Sequence, residues 1–160
     1  MTRYYSWILI LLIGCCGYST RSTLPSQYKS IAIPVVDNQT VKPNLGDMLT
    51  DQLLNDFTKD RNLSIAPIDR ADIVLECRIT NYERSPQSYT ANQEVITYRT
   101  TLNVFVKALD KTKPDTEPLH DGEISAWITY DAQSETEEIG IARAIEKVSI
   151  EILRKLLTTW

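Results

Sequence analysis

Glycine is scarce in this chain, five among 160 residues, and no GxGxxG, GxSxG or Walker arrangement occurs. Glycine-lined phosphate cradles and the strained turn of a serine hydrolase are thereby excluded. Histidine occurs once, as His120, in a polar stretch beside Asp121, and a lone histidine there reads as solvated rather than catalytic. The three cysteines comprise an adjacent pair, Cys15 and Cys16, and an isolated Cys77. None has the CxxC spacing of a redox or zinc motif, and Cys77 reads as a small buried side chain. Glu135, Glu137 and Glu138 cluster in sequence, but the first turn of a helix explains them without a metal. Basic residues do not dominate, 17 Lys and Arg against 21 Asp and Glu, so nucleic acid is not an expected partner. The chain reads as a non-enzyme without a cofactor.

Long apolar runs are also missing. A bilayer-spanning helix needs about 20 apolar residues, whereas Trp7 to Ile13 holds seven. Arg3 and the α-amino group precede that run, which gives the charged and apolar regions of a secretory signal. Leu12-Ile13-Gly14-Cys15 then resembles a bacterial lipobox, with an aliphatic residue three before the cysteine and a small one directly before it. That resemblance implies cleavage before Cys15 and acylation of its thiol and amine. Reading Cys16 as the acceptor puts Gly14 at the aliphatic position, a poorer match. More than one acyl chain makes a stable anchor. Loss of residues 1–14 removes Arg3 and takes the net charge from −4 to −5. Cys16 and Gly17 follow the lipidated position where an aspartate signals inner-membrane retention, which favours the outer membrane.

Residues 15–28 are polar and read as a lipidated tether, and 29–160 as one domain. Ile31 to Val36 is apolar on both faces, a strand covered on both sides near its start, with Pro34 hinting at an edge. Asn44 is placed to cap a helix over 45–59 whose stripe is Leu45, Met48, Leu49, Gln52, Leu53 and Phe57. A short strand follows at 63–66. Three alternating strands come next. The first puts Ile73, Leu75, Cys77 and Ile79 inward. The second, 94–109, puts Ile96, Tyr98, Leu102, Val104, Val106 and Ala108 inward. The third, 122–130, puts Ile124, Ala126, Ile128 and Tyr130 inward. Loops at 84–93 and 110–121 make them an antiparallel meander. Ser134 with Glu137 reads as a capping box opening a helix striped by Ile141, Ile145, Val148, Ile152 and Leu156, with Ala142, Ser149 and Leu153 beside it. The expected fold is an α/β two-layer sandwich. Two amphipathic helices pack on one face of a mixed, mostly antiparallel sheet of four to five strands.

The order lipobox, tether, strand, helix, meander and helix resembles the LPS-assembly lipoprotein (LptE) family. The stretches that carry it are "GCCGYS", "LPSQYKSIAIPVVDNQT", "RADIVLECRITNYERSP" and "YRTTLNVFVKALD". The resemblance implies an outer-membrane lipoprotein in the lumen of the β-barrel LptD, assisting barrel assembly and passage of lipopolysaccharide to the surface. If both helices cover one face, the other carries Tyr82, Val95, Phe105 and Trp127 beside Arg78, Arg99 and Lys107. The aromatic residues suit a partner wall, and the cations suit glycolipid phosphates. An ordinary solvated face with scattered large residues is the equal alternative. Two rival functions remain. One is a periplasm-facing lipoprotein that activates a cell-wall synthase or serves an ABC-type lipid transporter; the other is a hydrolase with an unrecognised site.

Overall fold

The computed structural model describes residues 27–113 and 115–158. The signal segment, Cys15 and the tether up to residue 26 lie outside the described residues. The elements run β1 (Ser30–Ala32), β2 (Asp37–Asn38), α1 (Leu45–Asp60), β3 (Ser64–Ile65), β4 (Ile73–Tyr89), β5 (Val95–Asp110), β6 (His120–Asp131) and α2 (Glu137–Thr158). One sheet has the order β3-β1-β4-β5-β6, with β2 also paired to β4. β1 lies parallel to β3 and β4, and β2 parallel to β4. The long strands β4, β5 and β6 are antiparallel neighbours. Fold class and meander are as expected, but the strands among the described residues number six rather than four or five. The extra strand arises because the first apolar segment breaks at Pro34, which has no N–H for a ladder. Val36 then donates its N–H to Thr50 Oγ1 of α1, 2.9 Å away, and pairing resumes at Asp37. β1 is flanked by β3 and β4, whereas β2 has only β4 beside it, so the edge expected near Pro34 holds for the second half of the segment and not the first.

Ile31, Leu75, Ile79, Leu102, Val104 and Val106 form the helix-side core with Leu49, Leu53 and Phe57 of α1 and Ile145, Val148 and Ile152 of α2. A small second cluster of Ala32, Ala71 and Val74 closes the reverse face at the β1 end, so β1 is covered on both sides. Gly46 sits where a Cβ would come within 2.5 Å of the Val36 carbonyl oxygen. Its missing side chain lets α1 approach the break between β1 and β2.

Several local expectations are corrected. Asn44 does precede α1, but with φ 65° and no side-chain cap; its left-handed backbone turns the chain instead. Met48, expected on the stripe, is 38% exposed. The buried positions of α1 are Leu45, Leu49, Leu53 and Phe57, with Gly46 and Thr50. Ser134 does not cap α2, which starts at Glu137. Its hydroxyl donates to Asp131 Oδ1, which also accepts the N–H groups of Gln133 and Ser134. Ala142 is exposed, whereas Ile141, Ile145, Val148, Ile152 and Leu156 are buried as expected. The loop expected at 84–93 shrinks to 90–94, because pairing with β5 carries β4 on to Tyr89. His120 is not in a loop; it begins β6, and burial followed by Lys155 lowers its basicity.

Candidate functional site: the open sheet face

Strand alternation sends even-numbered residues of β5 towards the helices and odd-numbered ones to the other face. Arg99, Phe105 and Lys107 therefore stand on the open face, as do Arg78 of β4 and Trp127 of β6. Tyr82 does not. The register steps from Ile79 opposite Val104 to Asn81 opposite Asn103, so Thr80 is an extra residue in β4. Such a bulge inverts the alternation beyond it. Tyr82 then pairs with the buried Leu102, packs against the core, and donates its hydroxyl to Glu137 Oε1 at 2.7 Å. The expectation that Tyr82 belongs to the open surface is corrected by this one residue.

The remaining candidates separate into two groups. Arg78, Phe105 and Lys107 line a groove of about 260 Å³ whose other wall is Pro34 and Val35. Val35 is 72% exposed, so the groove offers apolar surface. Its charge is balanced. Arg78 Nε lies 3.3 Å from Asp37 Oδ2, with both side chains more than half exposed, so the pair contributes at most about 1 kcal/mol. Lys107 stands between Glu76 and Asp121, and Phe105 faces Glu123. An anion approaching these two cations meets four carboxylates nearby.

Arg99 is eight positions away along β5, about 26 Å in an extended strand. Its guanidinium carbon lies 4.5 Å from the Trp127 ring centroid. Lys147 of α2 reaches the β6 edge, placing Nζ 4.8 Å from the same centroid and 2.9 Å from the Trp127 carbonyl oxygen. Neither cation has a carboxylate partner among the described ion pairs, and Arg99 Nε is buried without a hydrogen-bond partner. Two cations on one indole gain about 0.5–1 kcal/mol each from the ring. Their positive charge stays available to an anion.

The helix side holds a polar clasp that sequence reading missed. Glu137, the first residue of α2, accepts from Lys42 Nζ at 2.8 Å and from Tyr82, and lies 3.7 Å from Arg84. Arg84 also donates to the Tyr130 hydroxyl and lies 3.6 Å from the Tyr98 ring centroid. The Lys42 and Tyr82 hydrogen bonds hold the Glu137 carboxyl below its ordinary range. Burial, then the Glu137 carboxylate, raises the Tyr82 hydroxyl well above its own. On the core side Cys77 is a free thiol pushed up to about 12 by burial, which leaves it unreactive at neutral pH. Among the described residues no group of three or more His, Cys, Asp or Glu is placed to hold a metal. No described helix is long and apolar enough to cross a membrane.

The model of the LptE lipopolysaccharide-assembly family matches residues 28–156. The chain belongs to this family. No curated protein shows a significant sequence match. Among solved structures, a hypothetical protein of Chlamydia trachomatis has TM-score 0.63 at 9% identity, covering 81% of this chain and 95% of that one. An uncharacterized lipoprotein B of Nitrosomonas europaea has TM-score 0.55 at 15% identity, covering 91% of each chain. A minor lipoprotein of Acinetobacter baumannii has TM-score 0.51 at 16% identity, covering 81% and 90%. At such identities these structures share the fold with this LptE-family chain and nothing finer.

Lys42, Arg84, Tyr98 and Tyr130 of this LptE-family domain left one usable signal, a basic residue two positions after Tyr82 beside two inward-facing tyrosines. Without the Thr80 bulge, that signal pointed to the wrong face. Lys147 left none, since its role depends on the distance between α2 and the sheet edge.

Proposed function

We propose that the protein is an outer-membrane lipoprotein, acylated at Cys15, that acts by binding in lipopolysaccharide assembly as the lumenal partner of an LptD-type β-barrel. The observation that carries this reading is the uncovered sheet face. It presents Val35, Phe105 and Trp127 among polar and charged side chains, while α1 and α2 cover only the opposite face. A half-exposed apolar surface of this kind suits burial against a partner wall. Family membership supports the lipopolysaccharide connection. We assign phosphate contact to Arg99 with Lys147, because the charges of Arg78 and Lys107 are already opposed by Asp37, Glu76, Asp121 and Glu123.

Photo-crosslinking residues at Phe105 and Trp127, with one at the exposed Ile150 of α2 as a control, test the partner. The expected adduct is a large β-barrel protein, formed from the two sheet positions and not from Ile150. Adducts with a cell-wall synthase or a permease subunit would move the protein to the periplasm-facing alternative. Arg99→Glu is expected to weaken lipopolysaccharide binding by the full chain, more at low salt than at moderate salt, with the circular dichroism spectrum unchanged. Charge-assisted contacts contribute about 1.5–3 kcal/mol when well formed, and screening lowers this at an exposed site. Undiminished binding by the folded variant would release Arg99 from this role and turn attention to Arg84, Lys111 and Lys113. Cys15→Ala is expected to leave an unprocessed, unacylated chain, read by mass spectrometry.

A further inference from the structure

The sheet has two very unequal edges. One edge is stepped, passing from β3 on β1 to β2 and then to the part of β4 beyond Ile79, whereas β6 ends the other with a ladder to β5 over His120–Asp131 that has no register shift. In an antiparallel ladder a residue's N–H and C=O point the same way, and that direction alternates along the strand. Ala132 N–H donates to the Ile96 carbonyl at 2.8 Å, so even-numbered residues of β6 face β5 and odd-numbered ones face outwards. Two side-chain contacts agree with this phase. Lys147 Nζ reaches the Trp127 carbonyl at 2.9 Å, and Glu135 Oε2 accepts the Asp131 N–H at 3.0 Å. The C-terminal half of the edge is thus blunted by two side chains, as natural edges commonly are. The N-terminal half is not. The outward backbone groups of Asp121, Glu123 and Ser125 have neither a strand nor a side chain on them among the described residues.

We infer that Asp121–Ser125 is a site for strand addition by an extended protein segment that alternates basic and apolar residues. The open-face side chains here are Asp121, Glu123 and Ser125, two acids and no base, so the added strand's neighbouring side chains complement them when basic. On the helix side, the half-buried Ile124 and the side-chain-free Gly122 favour apolar residues. Main-chain hydrogen bonds supply affinity in such pairing, and the alternate side chains supply selectivity. A second copy of the chain does not fit. Antiparallel self-pairing confined to Asp121–Ser125 is centred on Glu123 and sets that carboxylate opposite itself, and longer registers meet the Lys147 cap at Trp127. The inference concerns this edge alone and does not depend on the barrel or glycolipid assignments.

Amide hydrogen exchange measured by NMR on the full chain tests it, with a capped heptapeptide alternating valine and lysine as the probe. The Glu123 and Ser125 amides are expected to exchange at least about tenfold more slowly with this peptide, and unchanged with its glutamate analogue. Glu123→Lys, a substitution on the open face, is expected to reverse that preference. Equal protection by both peptides, no protection of these amides, or protection only elsewhere would overturn the inference. Concentration-dependent protection without any peptide would assign the edge to a second copy and overturn it as well.

Discussion

Along β5, Leu102, Val104, Val106 and Ala108 have at most 1% of their surface exposed, whereas Arg99, Thr101, Asn103, Phe105 and Lys107 stay intermediate. The two sets share one backbone, one register and one pair of neighbouring strands, so local geometry does not distinguish them. What differs is the second layer. α1 and α2 lie on the even-numbered side, and the odd-numbered side is closed only at the β1 end by Ala32, Ala71 and Val74. The covered face converts apolar area into stability at about 25 cal/mol per Å². The open face leaves its aromatic and basic groups partly exposed.

Substitutions on the two faces are expected to separate most clearly at their centres. Leu102→Ala leaves a cavity in a packed layer and is expected to cost about 2–5 kcal/mol. Phe105→Ala removes a larger side chain from the open face and is expected to cost less than about 1.5 kcal/mol. Thermal or urea unfolding of the two variants checks this, and equal losses would mean that the open face is covered in the isolated protein. Next in size is Gly140→Ala. A Cβ there meets the Tyr130 ring at 2.6 Å and the Thr100 hydroxyl oxygen at 3.2 Å. The ring is held by Arg84 and stacked on Tyr98, 5.8 Å between centroids. Overpacking of about 1–3 kcal/mol is expected, and a Tyr130→Phe background that leaves this loss unchanged would show that ring contact rather than the clasp causes it.

The smallest effect depends on pH. Glu137 has a lowered pKa in the folded state, so its contribution is present above the unfolded value of about 4.3 and is lost as pH falls through the folded one. Glu137→Gln is expected to cost about 1 kcal/mol near neutrality. The gap to the parent should narrow as pH drops below about 4.3. Denaturation midpoints measured from neutral to acid pH check the sign; a gap that widens in acid would show that Lys42 and Tyr82 do not stabilise the carboxylate.

The legible parts of this fold were those written in short-range periodicity. A period of two along β5 and β6 and a 3.6-residue stripe along α2 marked Leu102, Val104, Ala126, Ile145 and Val148 for the core, and all are buried. The illegible parts each hang on one residue whose setting is set by something distant. Thr80 looks like any strand threonine, yet its hydroxyl bonds the Asn103 carbonyl and Glu123, and the extra residue carries Tyr82 to the other face. Ser134 with Glu137 has the spacing of a capping box, but Asp131 takes the serine and Lys42 with Tyr82 takes the glutamate. The candidate cations Arg78, Arg99 and Lys107 were placed on the right face but read as one patch, because alternation reports a side and not a distance.

The sequence by itself determined the class of the fold, the order of its strands and helices, the family and the absence of recognisable catalytic motifs. These follow from the pattern of side chains along the chain, which acts within a few residues. Tertiary structure alone decided that the first strand splits at Pro34 and that Tyr82 leaves the open face. It also brought Arg99 and Lys147 together on Trp127 and left Asp121–Ser125 as an unpaired edge. Each of these depends on groups far apart in sequence meeting across the sheet or around its edge, and their separations are set only when the two layers pack.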